Sequence, residues 1–382
     1  MILFVDQSGQ PGGAELCLGD LAAHALGRSR VLLFSHGRFE EMLRERGVSV
    51  SVLETPRRLA AVGKEAGMAD YLSALPEMAG FLRALRREIR RSDLVYLNTA
   101  KALLHGVVAG MGLRTPSVFH LHDLLTREHF SGLNIRLITR AANRTRAVIA
   151  NSRATAEAFQ KAGGNVPVHV IPNGFDPLRF APLPTDEILA VREGFHAGPA
   201  PVAAVFGRIA RWKGQDLLLR AASRIPELRV WIVGEAFFTG DDRRYAGELK
   251  AMASTPELAG RVDFLGQRDD IPRLMQAADV IVHTSVAPEP FGRVVAEGML
   301  SGRPVIASGA GSPLEMIRHG ETGWLFAPGD GRELAAAIEQ VLALPDRGRA
   351  TGLLASAEAR KQYSLSSVLE QTDRVLSGFT SL

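Results

Sequence analysis

The chain has 382 residues, 46% apolar and 23% charged, values that suit two soluble globular domains and exclude a disordered, fibrous or collagen-like protein. A single cysteine, Cys17, excludes an intrachain disulfide and points to a reducing compartment. The net charge of +4 hides an asymmetry, because residues 1–180 hold 23 Lys/Arg against 16 Asp/Glu while residues 181–382 hold 22 against 25.

In chain order, MILFVDQSG runs straight into a strand with no basic leader, so it does not read as a secretory signal and the cytoplasm is the expected compartment. Further strands are expected at RVLLFS, VSVSVLE, DLVYLN, PSVFHL, RAVIAN and VHVIP, with helically spaced segments between them. That alternation predicts a parallel sheet covered by helices. Within the first half, LRALRREIRRSD would carry Arg83, Arg86, Arg87, Arg90 and Arg91 on one basic helix face. Such a face is either solvated or drawn to the anionic inner surface of a membrane. No apolar run reaches the roughly eighteen residues that a spanning helix needs.

Residues 172–186, PNGFDPLRFAPLPTD, interrupt the periodicity with four prolines, Pro172, Pro177, Pro182 and Pro184, and read as an interdomain linker. A second wound domain starts at PVAAVFGR and continues through RVWIVGE, RVDFLGQ, DVIVHTS and RPVIASG, with helices at GQDLLLRAASRI, DDIPRLMQAA and GRELAAAIEQVL. The last stretch, SAEARKQYSLSSVLEQTDRVLSGF, reads as a pair of helices returning to the first domain. The expected division is 1–178, 179–355 and a helical piece 356–382. No repeat and no low-complexity tract is present.

Doubly wound sheets bind ligands at the carboxyl ends of their strands. Asn98, His122, Asp123, Asn151, Glu235 and Ser285 all follow predicted strands, and their coincidence points to a site. Gly12 and Gly13, after the first strand, read either as a tight turn or as a close approach to an anion at a helix start. Ser35 and His36, where a dinucleotide site wants an acidic residue, argue against NAD. Arg208 and Lys213 in GRIARWKG are exposed loop cations or a clasp for a diphosphate. In PEPFGRVVAEGML, Pro290 separates Glu289 from a helix running from Phe291 to Leu300. Glu297 then lies almost two turns in, about 9 Å along the axis. Two such glutamates are surface charges, or Glu289 grips sugar hydroxyls and Glu297 ribose hydroxyls beside N–H groups of Phe291, Gly292 and Arg293 that hold phosphate. His122 is a packed histidine or a site residue. No Asp-x-Asp, HExxH, GxSxG or Walker sequence occurs, so no metal or other cofactor is expected and a metal-chelated diphosphate is disfavoured.

PGGAE, HDL at 122–124, NSRATAEAF, VIPNGFDPLRF, GRIARWKG, FLGQRDDIPRLM, the Glu-x7-Glu of EPFGRVVAE, SGRPVIAS and ETGWLF occur in that order. Together they resemble the retaining glycosyltransferases of family 4, whose GT-B fold pairs two facing Rossmann-like, doubly wound parallel-sheet α/β domains across a cleft. The resemblance implies a metal-independent transferase moving a sugar from a nucleotide-diphospho-sugar, UDP- or GDP-linked, to a glycan or lipid-linked saccharide, with no nucleic-acid partner. It implies catalytic roles for His122, Arg208, Lys213 and Glu289. It puts Gly12, Gly13, Gly266, Phe291, Gly292, Arg293, Val294 and Glu297 with the donor, and Asn98, Asp123 and Asn173 with the acceptor. A sugar-nucleotide epimerase and a non-catalytic binding subunit are the alternatives. Gly298 departs from the family's usual Glu-Ala-Met-Ala and is expected to loosen the helix slightly.

Overall fold

Two parallel sheets organise the protein, in a computed structural model that describes residues 1–56, 68–236 and 240–379. Seven strands form the first: β1 (Ile2–Asp6), β2 (Ser29–Leu33), β3 (Val50–Val52), β4 (Leu94–Leu97), β5 (Ser117–Leu121), β6 (Ala147–Ala150) and β7 (Val168–Val170), in the order β3-β2-β1-β4-β5-β6-β7. Six form the second: β8 (Val202–Phe206), β9 (Arg229–Val233), β10 (Val262–Gly266), β11 (Val280–His283), β12 (Val305–Ser308) and β13 (Trp324–Phe326), in the order β10-β9-β8-β11-β12-β13. The central strands are buried on both faces, which is why they read as apolar runs rather than alternating ones.

Each order contains one place where the winding reverses. It lies between β1 and β4 in the first sheet and between β8 and β11 in the second. Helices after the strands leave a crevice at such switch points; Asn98 follows β4, Arg208 and Lys213 follow β8, and Ser285 and Glu289 follow β11, while His122 follows the next strand, β5.

The chain divides into two compact units, Met1–Asn173 with Val368–Leu382, and Gly174–Ser367. The break precedes the boundary expected at 178/179, which falls inside the short 3-10 turn Pro177–Phe180 of the second unit. Of the two C-terminal helices, Pro345–Gln362 belongs to the second unit, while Leu365–Ser377 joins the first from Val368 onward. There Val368 and Leu376 are buried in a cluster with Leu18, Leu21 and Phe39, and Asp373 meets His24 at 2.8 Å. Residues 380–382 of the expected terminal piece lie outside the described residues.

Strand β13 is not anticipated by the sequence, because three residues between Gly323 and Ala327 show no periodicity. Gly298 also corrects an expectation. A Cβ there would lie 2.9 Å from Val305 Cγ2 and 3.1 Å from Ile281 Cγ2, so the glycine lets its helix press against β11 and β12 rather than loosening it.

Candidate functional site

In the second unit, β8 leads through Gly207 and Arg208 to the 3-10 turn Arg211–Lys213 and then Gly214. Gly214 has φ +63, and a Cβ on it would lie 2.4 Å from the Thr284 carbonyl oxygen, so only glycine lets this turn pack on the end of β11. Thr284 Oγ1 donates to the Lys213 carbonyl at 2.7 Å, and the Val286 N–H donates to the Trp212 carbonyl at 2.8 Å. From the other side, Glu289 joins the loop after β12. Its N–H donates to Ala310 O at 3.1 Å and its carbonyl accepts from Ser312 N–H at 2.9 Å. Ser312 Oγ further donates to Phe291 O at 2.8 Å.

These backbone ties bring two distant side chains together. Lys213 Nζ donates to both Glu289 oxygens, at 2.8 and 3.1 Å, and lies 4.1 Å from the Trp212 ring centroid. Glu289 Oε2 also accepts from Ser285 Oγ at 2.8 Å and faces His283 Nε2 at 3.1 Å. Burial pushes the Glu289 carboxyl up, but Lys213 and His283 outweigh it and hold the group far below the usual carboxylate range. The result is a buried, ionised carboxylate at the switch point.

The helix after this loop starts at Arg293, not at Phe291, because Gly292 takes a left-handed conformation with φ +74. Glu297 is therefore one turn in from the helix start and pairs with Arg293 at 3.4 Å. Burial raises the Glu297 carboxyl, with Arg293 and Arg179 opposing it. Arg293 also lies 4.5 Å from the Phe175 ring. The Phe291 side chain is core, stacked on Phe175 at 6.3 Å and edge-on to Tyr363 at 5.7 Å, so this residue offers a ligand only its backbone. Val294 packs against the same cluster. Arg208 is half-buried, and its carbonyl accepts from Gln215 Nε2 at 2.9 Å. Gly266 closes β10 with φ +64, beside Glu235 Oε1.

The switch point of the first unit carries different chemistry. Asn98, fully buried after β4, donates from Nδ2 to Asp6 Oδ2 at 2.6 Å and to the Ala14 carbonyl at 3.2 Å. A carbonyl can only accept, which fixes the orientation of the amide. Asn98 Oδ1 is then the acceptor for His122 Nε2, 2.9 Å away, so that nitrogen carries a proton. Beneath it the His120 ring lies 3.8 Å from that of His122, and its Nδ1 meets Tyr96 Oη at 2.5 Å. Burial and the neighbouring His122 lower the His120 pKa.

Asn98, expected on the acceptor side, is thus enclosed and holds His122. Gly12 caps the helix Gly13–His24, and the Glu15 carboxyl folds back beside it, with Oε2 2.6 Å from where a Cβ on Gly12 would lie. Burial, and then Asp6, push Glu15 up to about 8, while burial raises Asp6 to about 6. The two titrate as a pair. Asp123 is exposed and Asn173 buried.

Sequence reasoning assigns no role to Asp6, Glu15, His283, Gly311 or Ser312. Asp6 and His283 end apolar runs, and the strand-end rule that finds Asn98 reaches them when the last strand residue is itself polar. Among the described residues no group of three or more His, Cys, Asp or Glu side chains could hold a metal ion. No described helix is long and apolar enough to cross a membrane.

Residues 190–355 match the family model for glycosyl transferases group 1, and residues 11–179 that for glycosyltransferase family 4. The fold superposes on Anabaena Alr3699/HepE, solved in complex with UDP-glucose, with a TM-score of 0.90 and 38% identity over 99% of both chains. The lipopolysaccharide core biosynthesis glycosyltransferase LpsE of Rhizobium meliloti is 31% identical over 54% of this chain and 59% of its own length. The lipopolysaccharide core biosynthesis mannosyltransferase LpcC of Rhizobium leguminosarum bv. viciae is 31% identical over 62% of this chain and 69% of its own. The chain spans 36% of the mycobacterial D-inositol 3-phosphate glycosyltransferases that it also matches.

Proposed function

Because the chain belongs to the group 1, family 4 glycosyltransferases of GT-B fold, we propose that it transfers a sugar from a nucleotide diphosphate to a glycan or lipid-linked saccharide, with retention and without a metal. The observation that carries this reading is the buried Lys213–Glu289 pair at the switch point of the second sheet. An ionised carboxylate there accepts hydrogen bonds from sugar hydroxyls, and the ammonium beside it faces the charge of a diphosphate.

In the proposed reaction the bond between the anomeric carbon and the diphosphate oxygen breaks. The acceptor oxygen bonds to that carbon on the same face, and its proton passes to the leaving phosphate. Lys213, Arg208 and the N–H groups of Gly292 and Arg293 take up the charge that develops on the leaving group. Glu297 receives ribose hydroxyls, and His122, its tautomer set by Asn98, meets a hydroxyl of the transferred sugar. Gly12 and Gly13 allow close approach. Glu15, folded over that helix start, favours a neutral hydroxyl over a phosphate.

UDP-glucose in the HepE complex supports testing it first as donor, and the mannosyltransferase relatives support including GDP-mannose. The names of LpsE and LpcC support an acceptor in cell-surface glycoconjugate synthesis. Arg83, Arg87, Arg90 and Arg91 are exposed and support contact with the anionic inner face of a cell membrane. Arg86 takes no part, since its guanidinium donates to the Ala109 and Met111 carbonyls at 2.8 and 2.7 Å. A panel of UDP-, GDP- and ADP-sugars read by melting shift and donor hydrolysis tests the proposal. One sugar nucleotide is expected to raise the melting temperature and to be hydrolysed slowly without added metal; no response to any of them overturns it.

A further inference from the structure

Glu289 lies in a loop, yet its carboxylate is held from three sides. Lys213 bridges both oxygens, while Ser285 Oγ and His283 Nε2 converge on Oε2 at 2.8 and 3.1 Å. His283 Nε2 and Ser285 Oγ are themselves 3.0 Å apart. A hydroxyl has one proton, and Ser285 gives it to Glu289, so the serine lone pair and the carboxylate both face the imidazole nitrogen. That nitrogen must carry a proton. On the far side of the ring, His283 Nδ1 is buried and has no hydrogen-bond partner among the described residues. The ring's polar contacts in the structure are therefore all made through Nε2, which aims its N–H at one carboxylate oxygen.

This division of the carboxylate matters once a diphosphate arrives. Lys213 is then attracted to a second anion, and a glutamate whose only partner were that lysine would follow it or lose its alignment. We propose that His283 and Ser285 are positioning residues that pin Glu289 by Oε2, which leaves Oε1 to select the transferred sugar while Lys213 turns to the diphosphate. The inference rests on the reading of Glu289 as the sugar grip and adds residues to which neither the family motif nor the relatives' names assign a role. Its signature is selective. Losing the pin weakens the part of donor affinity that comes from the sugar and spares the part that comes from the nucleoside diphosphate.

The experiment compares the affinities of UDP-glucose and UDP by calorimetry, in wild type and in His283→Leu, His283→Gln and Ser285→Ala. Should the donor panel favour another sugar nucleotide, that compound and its own nucleoside diphosphate replace the pair. Glutamine can place an N–H donor near the position of the imidazole Nε2. His283→Leu is expected to bind UDP-glucose about tenfold more weakly, a loss of one charge-assisted hydrogen bond, while its UDP affinity stays within about twofold. His283→Gln recovers most of the loss, and Ser285→Ala, the milder change, shows the same selectivity at smaller size. Equal weakening of UDP and UDP-glucose, no weakening of either, or a glutamine variant no better than leucine overturns the positioning role and leaves the proposed transferase standing. Wild-type protein that binds no sugar nucleotide overturns both.

Discussion

The two switch points are built on the same strand arrangement and carry opposite electrostatics. In the second unit, Lys213 and His283 drive the buried Glu289 carboxyl far down, so it stays ionised. In the first, burial raises both Asp6 and Glu15, Asp6 and Asp123 raise Glu15 further, and Asp6 accepts from the Asn98 amide. A fixed charge pair suits the gripping of a charged, hydroxyl-rich donor. A carboxyl held neutral at Glu15, together with the oriented His122 imidazole, suits the exchange of hydrogen bonds with hydroxyls. A shared scaffold therefore says where a ligand binds, and the local charge balance says what kind.

The comparison breaks most visibly at Lys213. Lys213→Ala leaves Glu289 buried without its cation and removes a partner of the leaving group. Transfer or donor hydrolysis is expected to fall about 10²- to 10³-fold, with a lower melting temperature, because breaking a buried pair costs about 3–5 kcal/mol. Activity within a few-fold of wild type would mean that the second switch point does not work through charge. Gly311 gives a backbone version of the same test. It has φ +76, and a Cβ would lie 2.3 Å from the Glu289 carbonyl oxygen, so Gly311→Ala should destabilise the protein by about 1–3 kcal/mol in urea titrations and weaken donor binding by displacing Glu289. In the first unit, Asn98→Ala strips the partner from both Asp6 and His122. The expected cost is about 1–3 kcal/mol, with a roughly tenfold fall in kcat and little change in UDP affinity. A loss of UDP affinity instead would erase the distinction between the units.

Much of this arrangement is legible in the sequence because buried parallel strands read as apolar runs, and the residue that ends each run faces the crevice. Asn98 and His122 are found that way, and Lys213 and Glu289 as charged residues in the loops after two such runs. Their partnerships are not, because strand order decides them: Lys213 and Glu289 are 76 residues apart and meet only because β8 and β11 are neighbours. The start of the helix at Arg293 escapes because helical spacing continues back to Phe291, and only the left-handed turn at Gly292 stops it. His283 and Asp6 look like the last apolar-run positions of their strands. The role of Asn98 is hidden for a further reason, since a polar residue after a strand can face ligand or, as here, face inward and orient a neighbour.

Glu15 tests the other half of the comparison with the smallest effect. Its folded-state pKa is about 8 against an ordinary 4.5, so between those values the folded protein holds a proton that the unfolded chain has released. Stability linked to this group is complete below pH 4.5, declines as pH rises, and is lost by about pH 8. Glutamine cannot ionise. The melting temperature of Glu15→Gln relative to wild type should therefore climb steadily from pH 5 to pH 8 and level off above it, with a slope that corresponds to at most about 1.4 kcal/mol per pH unit. Because burial also raises Asp6, to about 6, the Glu15→Gln variant itself still loses stability as pH rises through that value, and Asp6→Asn,Glu15→Gln should be flatter still. A difference that is constant across this range would mean that Glu15 is ionised like an ordinary surface carboxylate, and the first switch point would then carry a fixed negative charge instead of a neutral acid.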